Sequence, residues 1–130
     1  MSYDLAVWIR PVPADDAEAL ERYVELMEGM ERDMDADPPP APAPELVRYA
    51  DELLEWYPDI TPDGDEGSPW ASGPLKANIV GSVFYFSMTY SAAEDAIPFI
   101  VDRAQVHQLV CFDPQTEKLL SRPGASEPRR

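Results

Sequence analysis

The chain has 130 residues, enough for one ordinary domain, and its 45% hydrophobic and 10% aromatic content supplies a real core. Net charge is −15, from 25 acidic and 10 basic residues, and residues 1–66 carry all of it: 19 acids and 4 bases there, against 6 and 6 in residues 67–130. That balance excludes nucleic acid, whose binding releases counterions to cationic side chains, and disfavours an anionic membrane surface. A basic protein or a cation is the electrostatic complement.

No apolar run approaches the roughly 20 residues that span a bilayer. The opening MSYDLAVWIRPVP has no basic region ahead of a long apolar stretch, as a secretory signal would. Cys111 is the single cysteine and can form no internal disulfide. Together these point to a soluble chain in a reducing cytoplasm.

Residues 3–9 alternate as a strand, with Tyr3, Leu5, Val7 and Ile9 on one face and Asp4, Ala6 and Trp8 on the other. Pro11 and Pro13 end it. A helix is expected from Asp15 to Met34, opened by capping-box spacing at Asp15 and Glu18. Ala17, Leu20, Val24, Met27 and Met34 supply a buried stripe, opposite a broad glutamate-rich side. The run DADPPPAPAP at 35–44 reads as an extended spacer inside the domain, or a docking segment for an aromatic groove.

A second helix is expected over Glu45 to Tyr57, with Leu46, Ala50, Leu53 and Tyr57 as its stripe and Pro44 suited to its first turn. Pro58 stops it, and residues 59–74 form a long acidic loop. Leu75–Val80 and Val83–Tyr90 make a hairpin on a type II′ turn at Gly81-Ser82. That turn sets Val80 opposite Val83, Ile79 opposite Phe84, Ala77 opposite Phe86 and Leu75 opposite Met88. Ser91 and Glu94 have capping-box spacing for a third helix to about His107, with Pro98 kinking it or delaying its start. Leu109–Phe112 form a last short strand.

The order β-α-α-β-β-α-β predicts an α+β fold: a four-stranded antiparallel sheet of ferredoxin-like topology, with helices on one face and one helix extra. Residues 1–120 read as a single domain and 121–130 as a flexible tail. The free sheet face would carry Val80, Val83, Tyr85, Ser87 and Thr89, a surface on which a second copy could pack as a dimeric ligand-binding plait.

Catalytic signatures are absent: there is no GxSxG, HExxH, P-loop or GxGxxG, so no catalytic residue and no cofactor is assigned. Asp59, Thr61, Asp63, Gly64 and Asp65 match the opening of a calcium loop, but Trp70 stands where the bidentate glutamate belongs. A solvated acidic turn is the plainer reading, and a metal-dependent enzyme or metal-binding protein using the 59–70 loop the alternative. His107 and Cys111 could pair as base and nucleophile, yet a helix-terminal histidine and a buried thiol account for both.

Trp70 among carboxylates has the chemistry of an interface anchor, with Trp56 and Tyr57 at the end of the second helix expected beside it, or all three fill a small core beneath the loop. Asp59, Asp63, Asp65, Glu66 and Trp70 are accordingly the expected partner-binding set, with Glu25, Glu28 and Asp33 as a second patch. The segments YDLAVW, WYP ahead of an acidic loop with PW, FSMTYSAAEDAIPFIVDRAQ and LVCFDPQT resemble those of a group of small acidic bacterial proteins, most of them uncharacterised. Some of these are suspected immunity partners of secreted toxins. The resemblance implies a non-catalytic immunity or antitoxin protein that neutralises a basic toxin.

Overall fold

The structure, a computed structural model, describes residues 2–9, 13–38, 40–57, 70 and 75–120. Strand β1 (Ser2–Trp8) is followed by helices α1 (Asp16–Met34) and α2 (Pro44–Trp56), then by a single 3-10 turn at Leu75–Asn78. Strands β2 (Ile79–Val80) and β3 (Val83–Thr89), helix α3 (Tyr90–Val106) and strands β4 (Val110–Asp113) and β5 (Lys118–Leu119) complete it. The fold is α+β. Its sheet is antiparallel, five-stranded and open, in the order β2-β3-β1-β4-β5.

The fifth strand corrects the expected four. Asp113 builds it: Asp113 Oδ1 accepts the amides of Gln115 at 3.0 Å and Thr116 at 3.4 Å. Glu117, at φ 58°, completes the reversal. Leu119 then pairs with Phe112, and Lys118 with Asp113. Residues 121–130 lie outside the described residues.

A second correction concerns the layers. The helices do not share one face. Leu5, Val7, Phe84, Phe86, Met88 and Cys111 face α2 and α3. Ala6, Trp8, Val110 and Phe112 face α1, which covers the opposite side with Ala19, Leu20, Tyr23 and Leu26. The reason is local: Leu5, Ala6, Val7 and Trp8 are apolar without interruption, and a strand apolar on both sides must be covered on both. The sheet face expected to be free is therefore occupied. Val83 is buried, and Tyr85 packs into the α1 cluster.

α1 begins as its capping residues dictate. Asp15 Oδ1 accepts the Glu18 amide at 2.9 Å, and Glu18 Oε1 accepts the Ala14 amide at 2.7 Å. A cap of this kind contributes about 1 kcal/mol. The helix runs from the β5 edge, where the Leu119 amide donates to Asp16 Oδ1 at 2.8 Å, to the β2–β3 turn. Its buried stripe is rotated from the expected one. Ala19 is fully buried, while Val24 and Met34 stand 48% and 64% exposed. The small Ala19 admits the sheet closely, and Tyr23 stacks on Phe112 with ring centroids 5.1 Å apart.

The hairpin pairs Val80 with Val83 and Ile79 with Phe84, as its turn requires. Gly81 has φ +57° and Ser82 does not share the positive φ, which is the II′ pattern. A side chain at Gly81 would also meet Pro40 at 3.5 Å. The Ala43 amide donates to the Gly81 carbonyl at 2.8 Å, so the proline-rich segment is pinned to this turn before Pro44 opens α2. The pairing does not continue to Ala77 and Leu75. The chain leaves the sheet in the 3-10 turn, which buries Leu75 and brings Lys76 Nζ within 2.8 Å of Asp51 on α2. A short edge strand limits unwanted edge pairing. α3 starts at Tyr90 with Thr89 as its N-cap, two residues ahead of the expected N-cap Ser91, and runs on through Pro98.

Candidate functional site

The expected partner-binding set divides. Asp59, Asp63, Asp65 and Glu66, and with them the calcium-loop motif, lie outside the described residues. Among the described residues no group of three His, Cys, Asp or Glu could hold a metal ion.

Trp70 is not an exposed anchor. It is fully buried, bridges Met88 of β3, and its Nε1 donates to the Tyr57 carbonyl at 3.1 Å. Its ring meets Phe86 edge-on at 5.8 Å and Tyr57 at 6.1 Å. Burial of so large an apolar surface beside β3 outweighs any surface role. Trp56 is the exposed tryptophan, 66% accessible, with its ring tilted against Phe99 at 5.3 Å.

Glu25 and Glu28 stand exposed on the outer side of α1, and Asp33 is half-buried beside the Gly81 turn. The outer side also has a shallow groove lined by Leu20, Glu21, Val24 and Glu25. Sequence reasoning assigned Leu20 and Val24 to the core; the groove joins their exposed parts to two carboxylates.

Among the described residues, the acids of the first half do not form one surface. α1 and α2 lie on opposite faces of the sheet, and their carboxylates meet different fates. On α2, Asp51 pairs with Lys76. Glu52 lies 3.3 Å from an Arg103 nitrogen and 3.0 Å from His107 Nε2. Bases of the neutral half thus compensate Asp51 and Glu52 of α2. α1 has seven carboxylates and two arginines, and Arg22–Glu25, at 3.3 Å, is its one ion pair among the described residues. Among the described residues, α1 is the helix with the most exposed carboxylates.

His107 and Cys111 make no nucleophile–base pair. Cys111 is fully buried on the α2–α3 side, and burial first, then the Asp113 carboxylate, push its thiol well above the ordinary range. Such a thiol is protonated and unreactive. His107 is engaged instead by Glu52 and by the edge of Tyr49, whose ring centroid is 5.8 Å away. Tyr49 is itself fixed, donating to the Ile100 carbonyl at 2.9 Å.

One polar constellation escaped sequence reasoning. At the β1 N-terminal end of the sheet, Tyr3 donates to the buried Asp113, and Gln115 Nε2 donates to Asp113 Oδ1 at 2.5 Å and to the Asp4 carbonyl at 2.8 Å. The Asp4 carboxylate accepts Tyr85 at 3.0 Å and Ser87 at 2.7 Å. Burial, then the bond to Asp113, push the Tyr3 hydroxyl up to about 12. Nothing in the local pattern links residues more than a hundred positions apart.

No family model matches the chain, and neither a curated protein nor a solved structure matches it.

Proposed function

We propose that the protein is a non-catalytic binding module that captures a basic protein through the outer side of α1, in the manner of an immunity or antitoxin protein neutralising a toxin. The observation that carries this reading is the uneven compensation of charge: Asp51 and Glu52 of α2 are paired by Lys76 and Arg103, whereas α1 exposes Glu21, Glu28 and Glu31 beside the Arg22–Glu25 pair. A surface of one sign steers an oppositely charged partner into fast, salt-sensitive encounter. The groove at Leu20 and Val24 adds apolar area beside the charge, and Asp33 extends the patch. The acidic residues Asp59, Asp63, Asp65 and Glu66 belong to the same reading. A bacterial cytoplasm suits a chain with one cysteine and no disulfide. The β2-β3-β1-β4 order supports treating the scaffold as a ferredoxin-like plait whose first helix lies on the other face.

The test is affinity capture from the source lysate at low and high salt, with the native chain and with a Glu21→Lys/Glu25→Lys/Glu28→Lys variant. A basic protein should be retained at low salt, released at high salt, and held at least about tenfold less by the variant. Equal retention by the variant would move the site away from α1, and no basic partner at either salt would remove the reading.

A further inference from the structure

We infer that the cleft beside the Tyr3–Tyr90 ring pair receives an arginine side chain of a partner protein, with Glu94 as its counter-charge. The cleft has a volume of about 360 Å³ and is lined by Tyr3, Tyr90, Ala93, Glu94, Ile97 and Pro98. Tyr90, Ala93, Glu94 and Ile97 fall at three- and four-residue steps, so one side of α3 forms its wall. β1 adds Tyr3 to the lining, its ring lying against Tyr90. This is the α2–α3 side of the sheet, away from the outer side of α1.

Each part of the lining has a counterpart in arginine. Tyr90 is 55% exposed and Tyr3 only partly buried, their ring centroids 5.7 Å apart and tilted by 50°. Aromatic faces attract a cation through their quadrupole, and a guanidinium, planar and weakly hydrated, stacks on them better than an ammonium. Glu94 is exposed at the rim, where its carboxylate can accept two parallel N–H bonds. Ala93, Ile97 and Pro98 offer carbon to the arginine methylenes.

The site is also preorganised. Tyr3 is held through its hydroxyl by Asp113, and Asp113 is buried and fixed by Gln115. An aromatic wall already in place costs no ordering entropy on binding. Two carboxylates, Glu94 at the rim and Asp113 behind Tyr3, oppose an anionic occupant.

This inference does not rest on the α1 reading, and a small-molecule probe tests it alone. The intact chain is titrated with Nα-acetyl-arginine amide, with the lysine analogue, and with the neutral, isosteric citrulline analogue. Tyr3 and Tyr90 ring signals and Ala93 and Ile97 methyl signals are followed by NMR. Saturable shifts are expected with arginine, weaker ones with lysine, and the weakest with citrulline. Tyr90→Ala and Glu94→Gln, both at exposed positions, should each weaken arginine binding about two- to five-fold. No saturable shift, citrulline binding as tightly as arginine, or affinity unchanged in both variants would overturn the assignment. The α1 triple variant should bind the arginine probe as the native chain does, so failure here and failure of basic-protein capture are separate results.

Discussion

The two faces of the sheet are built differently. Toward α2 and α3 the described residues bury eighteen side chains in one cluster; toward α1 they bury six. The first face fixes its buried ring donors internally, with Tyr49 on the Ile100 carbonyl and Trp70 on the Tyr57 carbonyl, and leaves the Asn78 amide nitrogen of the 3-10 turn without an acceptor among the described residues. On the second, the buried Trp8 indole N–H has no acceptor among the described residues, and Tyr23 and Tyr85 bring hydroxyls to the cluster's margin. Like charges at i,i+3 and i,i+4 along α1 weaken that helix further. The lesson is a division of labour: stability resides on the α2–α3 face, and α1 is the layer that can carry unbalanced charge without endangering the core.

The largest expected effect tests the strong face. Phe86→Ala removes a ring packed on Phe84 at 4.5 Å and Trp70 at 5.8 Å, and should cost about 3–5 kcal/mol in chemical denaturation. Cys111, on the same face, should then react rapidly with a thiol reagent. A loss below 1 kcal/mol would mean the two faces are equivalent.

A smaller effect is expected from overpacking the weak face. Ala19→Leu forces a larger side chain between α1 and the sheet, at a cost of about 1–3 kcal/mol. Amide exchange should quicken along α1 while Cys111 stays protected until global unfolding. Equal quickening in α2 would break the comparison by making both faces one cooperative unit.

The smallest effect concerns the polar end that joins both faces. The Tyr3 hydroxyl is raised by burial and by Asp113 from about 10 when unfolded to about 12 when folded, so its protonated form favours the native state. That contribution is fully present below pH 10 and is lost as pH rises through about 12. Tyr85, raised by burial and by Asp4, acts in the same direction. Stability measured from pH 9 to 12 should fall in the native chain and fall less in Tyr3→Phe. An identical slope in both would separate Asp113 from this linkage.

Much of the local structure was legible. The II′ turn at Gly81, the cap at Asp15 and the proline opening of α2 each follow from the chemistry of one or two residues. So do the two faces of β1. Even the sandwiching of the sheet had a local sign, since Leu5 to Trp8 and Val110 to Phe112 are apolar without alternation. The α1 stripe was ambiguous because two sets satisfy helical spacing, one through Leu20 and Val24 and one through Ala19, Tyr23 and Leu26. The ring of Phe112, supplied from the far end of the chain, selects the second.

The candidate sites were less legible for the same reason. Trp70, expected as an exposed anchor, is buried, because neighbouring carboxylates in sequence do not determine which ring meets Phe86 and which meets Phe99. The sequence by itself determined the three helices and four of the five strands, and a charge of −15 confined to the first half. Only the tertiary structure decided where that charge is felt. It set Asp51 and Glu52 of α2 against Lys76 and Arg103, and carried α1 to the opposite face beyond their reach. Charge composition is additive along a chain, whereas pairing within 4 Å depends on which elements the core brings together.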